Sequence, residues 1–113
     1  MDRQLVQTFK ALGDPNRLKI LAMLFQGPFF VCEISQMLHL AFSTTSQHLT
    51  ILRNAGLISD SKEGKWIKCA IDYHSTNPYA QSLLHLLKLW LEKEIDFEET
   101  LEKIIMERPE KLC

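Results

Sequence analysis

Residues 31–56 limit the possible folds most narrowly. Two short helical patterns stand close together there. In the first, Val31 to Leu38, the apolar face is Ile34, Met37 and Leu38; in the second, from about Ser43 to Ala55 with Ser43 or Phe42 marking its start, Leu49 and Leu52 face inward. The intervening His39-Leu40-Ala41 has room only for a tight turn, so the segment reads as a helix-turn-helix. Gly56 stands where a helix ends in a left-handed residue. Leu57–Lys62 and Lys65–Asp72 then read as two strands about a Glu63-Gly64 turn. On the second strand Ile67, Cys69 and Ile71 share one face, and Trp66, Lys68 and Ala70 the other.

The flanks are helical. Leu5, Phe9 and Leu12 form a stripe along Asp2–Leu12, which Gly13 ends. Asp14-Pro15 supplies an N-cap and a first-turn proline for a helix carrying Leu18, Leu21, Leu24 and Phe25, stopped by Gly27-Pro28. After the hairpin, Asn77-Pro78 caps and starts a helix bearing Leu83, Leu84, Leu86, Leu87, Trp90 and Leu91. It runs to about Glu107, or breaks near Asp96 and restarts. The expected fold class is mainly α with a small β-hairpin, a winged helix-turn-helix. It forms one domain over residues 1–113, with the helix-turn-helix at 31–56 and the wing at 57–72.

A chain of 113 residues with 46% apolar content is globular but leaves much surface unburied, so a second copy would help to cover it. The net charge of −1 excludes a uniformly basic coat. Charge is divided, with 8 Lys+Arg against 6 Asp+Glu up to residue 75 and 5 against 8 beyond it. The opening MDRQLVQTFK has no apolar signal-peptide core, and no apolar run approaches a membrane span. Three cysteines, an odd number, argue against a disulfide framework. The expectation is a soluble cytoplasmic protein, not membrane-bound, with mostly reduced thiols. Phosphate loops, a nucleophile with a placed base and paired metal ligands are all missing, so an enzyme is not expected.

A helix that enters the major groove offers short polar side chains near its N-terminus. Ser43, Thr44, Thr45, Ser46, Gln47 and His48 stand in a row, with Arg53 further on. Gln suits adenine edges, Ser and Thr suit bases or phosphates, and the backbone N–H groups of the helix start favour phosphate. Lys62, Lys65 and Lys68 near the hairpin tip suit phosphate contact along double-stranded DNA. A winged-helix module that binds protein without reading DNA is the alternative, and the acidic C-terminal segment would suit it.

The stretch Phe9-Lys10-Ala11-Leu12-Gly13-Asp14-Pro15-Asn16-Arg17-Leu18-Lys19-Ile20-Leu21 resembles the N-terminal signature of the ArsR/SmtB repressor family. So do Ser43-Thr44-Thr45-Ser46-Gln47-His48-Leu49 and Leu52-Arg53-Asn54-Ala55-Gly56-Leu57-Ile58, and Gly64-Lys65-Trp66 falls at the family's wing. The resemblance covers residues 5 to about 72. It implies a homodimeric repressor that binds a palindromic operator and releases it when an effector binds. It places the first and last helices, residues 1–12 and 76–107, at the dimer interface, where Leu5, Phe9, Leu12, Leu83, Leu87 and Trp90 fit. Family arsenic sensors carry two cysteines at the start of the third helix. Here Cys32 matches the second and Phe30 stands at the first, so Cys32 is the candidate sensing thiol. One thiolate is too few for a metal or metalloid effector. Cys69, Cys113, Asp72, His74 and His85 are weak additional ligand candidates.

Overall fold

The computed structural model describes residues 1–92. Its elements run α1 (Arg3–Leu12), α2 (Pro15–Leu24), β1 (Phe29–Phe30), α3 (Val31–Leu38), α4 (Phe42–Asn54), β2 (Ile58–Glu63), β3 (Trp66–Ile71) and α5 (Ala80–Leu91). The C-terminal part of the expected 76–107 helix, and Cys113, lie outside the described residues.

The first two helices begin as their sequences require. Asp2 accepts hydrogen bonds from the backbone N–H groups of Gln4 and Leu5, and Asp14 from those of Asn16 and Arg17. Each carboxylate thereby satisfies donors that a helix start leaves unpaired. Both acids sit below their ordinary pKa. For Asp2 the Tyr79 hydroxyl is the main cause, with the two backbone donors adding to it. For Asp14 desolvation pushes upward, but the backbone donors of Arg17 and Asn16, together with the Arg17 guanidinium, outweigh it.

α2 is the central element. Ile20 to Leu24 are all buried, and the helix packs on α1, α3, α4, α5 and β3. A helix buried on all sides shows no clean amphipathic stripe. Leu49 and Leu52 of α4, Leu57, Ile58 and Ile71 of the sheet region, and Ala80, Leu84 and Leu87 of α5 close the core around it. Complete burial of each large aliphatic side chain contributes about 1.5–3 kcal/mol.

Three details differ from the sequence reading. The sheet has three antiparallel strands in the order β1-β3-β2, because Phe29 and Phe30 pair with Cys69 and Lys68. A two-residue strand next to a proline has no periodicity to betray it. The hairpin loop is Gly64-Lys65, one residue later than expected, since Glu63 pairs with Trp66. Gly64 takes the positive φ of 61° that a two-residue loop with glycine in first place requires. Finally, α5 begins at Ala80, because Asn77 is used elsewhere. Its side-chain oxygen accepts from the Tyr79 N–H, while its Nδ2 donates to Thr8 Oγ1 at 2.9 Å and to the Ala55 carbonyl at 2.7 Å. Both Asn77 and Thr8 are buried. This amide joins α1, the end of α4 and the approach to α5.

Candidate nucleic-acid interface

α4 is seated by the buried Thr45, Leu49 and Leu52. The opposite side presents Ser43, Gln47 and Thr50 to solvent, with Thr44, Ser46 and His48 half-buried at the flanks. The helix starts at Phe42 after the N-cap Ala41, so Ser43 has no capping duty and is an exposed first-turn residue. Thr45 departs from the sequence reading. It is fully buried and its hydroxyl donates to the Ala41 carbonyl, so it anchors the helix and cannot reach a groove. The helical period explains this, since residue 45 lies one turn before Leu49 on the same face.

The C-terminal end of α4 is fixed by its backbone. Gly56 N–H donates to the Arg53 carbonyl and Leu57 N–H to the Leu52 carbonyl, with Gly56 at φ 76°. These are the paired bonds of a Schellman ending. α3 ends in the same way without a glycine. His39 at φ 54° donates to the Gln36 carbonyl and Leu40 to the Ser35 carbonyl. The turn between the two helices thus rests on a left-handed histidine.

Arg53 is held by the wing, its guanidinium pairing with Asp60 on β2 at 2.5 Å. Asp60 also accepts from the Cys69 thiol at 3.3 Å. Burial and the Asp60 carboxylate push that thiol up to about 12. Lys62 beside the loop and Lys65 within it are exposed, with the Lys65 ammonium 5.1 Å from the Trp66 ring centre. Lys68 sits over the Phe30 ring and pairs with Glu63 at 3.3 Å, which ties it to the sheet.

The N-terminal side of α4 is braced by a residue that sequence reasoning left as a plain helix position. Arg17 donates through Nε to the Ala11 carbonyl at 2.7 Å and through Nη2 to the Lys10 carbonyl at 3.2 Å. Its Nη1 lies 3.2 Å from His48 Nδ1. A signal was available, because a cation in the first turn of α2 opposes the helix dipole and so has work elsewhere.

The candidate sensing and metal residues are scattered. Cys32, half-buried in the first turn of α3, is disulfide-bonded, whereas Cys69 is the free cysteine among the described residues. The disulfide departs from the expectation of reduced thiols. Asp72 accepts from the backbone N–H of His74 in a local turn. His85 lines a groove with Phe25, Tyr73, Gln81, Leu84 and Lys88. Among the described residues these side chains form no cluster able to hold a metal ion.

Of the expected interface residues, Phe9 and Trp90 are exposed, Leu5, Leu12 and Leu83 are half-buried, and Leu87 belongs to the chain's own core. Val6, Leu86 and Leu89 are further exposed apolar side chains on the same two helices. No described helix is long and apolar enough to cross a membrane.

Residues 14–60 match the model of the bacterial regulatory proteins of the arsR family. The chain is 46% identical over 61 residues to the uncharacterized HTH-type transcriptional regulator MJ1325 of Methanocaldococcus jannaschii, covering 53% of this chain and 68% of that one. It is 37% identical over 70 residues to the arsenical resistance operon repressor of Escherichia coli, covering 61% of this chain and 60% of that protein. A homodimeric winged helix-turn-helix DNA-binding domain, Mb0332 from Mycobacterium bovis, superposes with a TM-score of 0.66 at 26% identity, covering 80% of this chain and 81% of the other.

Proposed function

The chain belongs to the arsR family of bacterial regulatory proteins, and we propose that it is a DNA-binding transcriptional repressor, homodimeric on a palindromic operator and released by an effector. The observation that carries this is the polar outer face of α4. Ser43 and Gln47 are exposed on a helix whose other face is locked into the core. Residues 31–56 act as the reader and residues 57–72 as the wing of a single domain. Ser43, Thr44, Ser46, Gln47 and His48 contact the duplex, and Lys62 and Lys65 take phosphates. Arg53, paired with Asp60, steadies the reader against the wing. The protein acts as a regulator, not an enzyme, in the cytoplasm. Release is thiol-dependent through Cys32, a role supported by its position in α3 and its disulfide.

Fluorescence anisotropy on the duplex upstream of the protein's own gene tests this, with reduced protein across a salt series. Affinity should fall steeply with salt, by roughly one log–log unit per neutralised phosphate. Gln47→Ala should cost about 1–3 kcal/mol at particular base pairs, while Lys65→Ala should weaken all duplexes alike. The opposite pattern would overturn the assigned roles. Peroxide should release the wild-type protein and leave Cys32→Ser bound; a Cys32→Ser variant released as readily by peroxide removes the thiol from the mechanism.

A further inference from the structure

Arg17 has donors only, five N–H groups in a planar fork, and never accepts a hydrogen bond. Two of its nitrogens are committed to the carbonyls of Ala11 and Lys10 at the C-terminal end of α1. Those carbonyls form the negative end of the helix and fix the plane of the guanidinium. The third nitrogen, Nη1, faces His48 Nδ1 at 3.2 Å. The ring nitrogen must therefore accept. A neutral imidazole that accepts at Nδ1 carries its proton on Nε2.

His48 lies on the flank of α4, half-buried, between the helix's core face and its exposed polar face. Its Nε2–H makes no hydrogen bond to any described residue. Asp14, the nearby acid, already accepts from the backbone N–H groups of Asn16 and Arg17. What remains at the flank of the reader helix is a single N–H donor of fixed direction. Phosphate oxygens accept only, so a ring locked with its donor outward fits them, and the other tautomer would oppose a lone pair to them.

Resting on the repressor reading above, we propose that Arg17 is a positioning residue for DNA binding. By donating to Nδ1 it holds His48 as the Nε2–H tautomer, and that N–H donates to a phosphate oxygen of the duplex. Arg17 itself does not touch the DNA. Its bonds also make the setting of α4 depend on the end of α1.

Two measurements test this, both on the full chain. Long-range 1H–15N NMR reports the His48 tautomer directly. The wild-type ring should show Nε2–H, and Arg17→Met should mix or invert the tautomers, a change that a purely structural role would not produce. Anisotropy on the operator duplex then separates the roles. A glutamine amide reaches about as far as Nε2 and needs no tautomer control, so His48→Gln should stay within about threefold of wild type, while the shorter His48→Asn should lose about tenfold or more. Arg17→Met should lose a similar factor, and Arg17→Met combined with His48→Gln should return to the His48→Gln level. A wild-type Nδ1–H tautomer, or a double variant as weak as Arg17→Met alone, overturns the proposal and leaves Arg17 as a structural or direct contact. If Arg17→Met does not fold, the wild-type tautomer and the His48 pair still decide. Failure of the wild-type chain to bind any duplex would overturn the repressor reading and the phosphate contact together; binding with the wrong tautomer overturns the proposal alone.

Discussion

Two left-handed residues close the two helices of the helix-turn-helix, and chemistry distinguishes them. At Gly56 an added Cβ would lie 2.7 Å from Ser75 Oγ and 3.1 Å from Asn77 Cβ, in a backbone conformation that costs an L-residue about 1–2 kcal/mol by itself. Gly56→Ala should therefore destabilise the fold by about 2 kcal/mol or more. His39 already bears that conformational cost on the surface. His39→Gly should stabilise by about 0.5–1 kcal/mol, after allowance for the greater freedom of glycine in the unfolded chain. Urea unfolding of both variants checks the pair, and equal and like-signed effects would show that the backbone conformation is not what governs these positions. Gly56 was legible because glycine marks such an ending. His39 was not, because few sequence rules point to a histidine in that role, although short polar residues and histidine are enriched there.

Among the elements, α3 was legible to the residue, since its apolar spacing is clean and the following turn is sharp. α4 starts at Phe42, one of the two starts the sequence left open, because an alanine N-cap gives no polar signal to choose between them. β1 was invisible, and Asn77 was read as a helix cap because its bonds reach residues far away in sequence. The polar row at the start of α4 was visible as a row; which members are exposed depended on the helical phase, which removed Thr45. The exposed apolar residues of α1 and α5, Val6 and Phe9 on one and Leu86, Leu89 and Trp90 on the other, suit burial against a second copy. Phe9→Ser or Trp90→Ser should raise the dimer dissociation constant by roughly tenfold to a hundredfold and leave the monomer's melting little changed. Analytical ultracentrifugation reads this, and an unaltered dimer would place the interface elsewhere.

For the molecule as a whole, stability should narrow at both ends of the pH scale. The lowered pKa values of Asp2 and Asp14 contribute stability that is present above the ordinary carboxylate range and lost as pH falls through their folded values. Cys69 acts at the other end. Its thiol ionises near 9.0 when unfolded and at about 12 when folded, so its contribution is whole below pH 9.0 and declines as pH rises toward 12. Melting curves across that window should fall less steeply for Cys69→Ala than for wild type; parallel curves would show that Cys69 does not set the alkaline limb. The Asn77 amide carries a consequence of another kind. It bonds to partners 69 and 22 positions away in the chain, one in α1 and one at the end of α4. Residues 14–60, transplanted alone into another scaffold, would arrive with the Ala55 carbonyl stripped of its donor. The reader is therefore a poor graft, and any chimera that borrows it must carry α1 and Asn77 along.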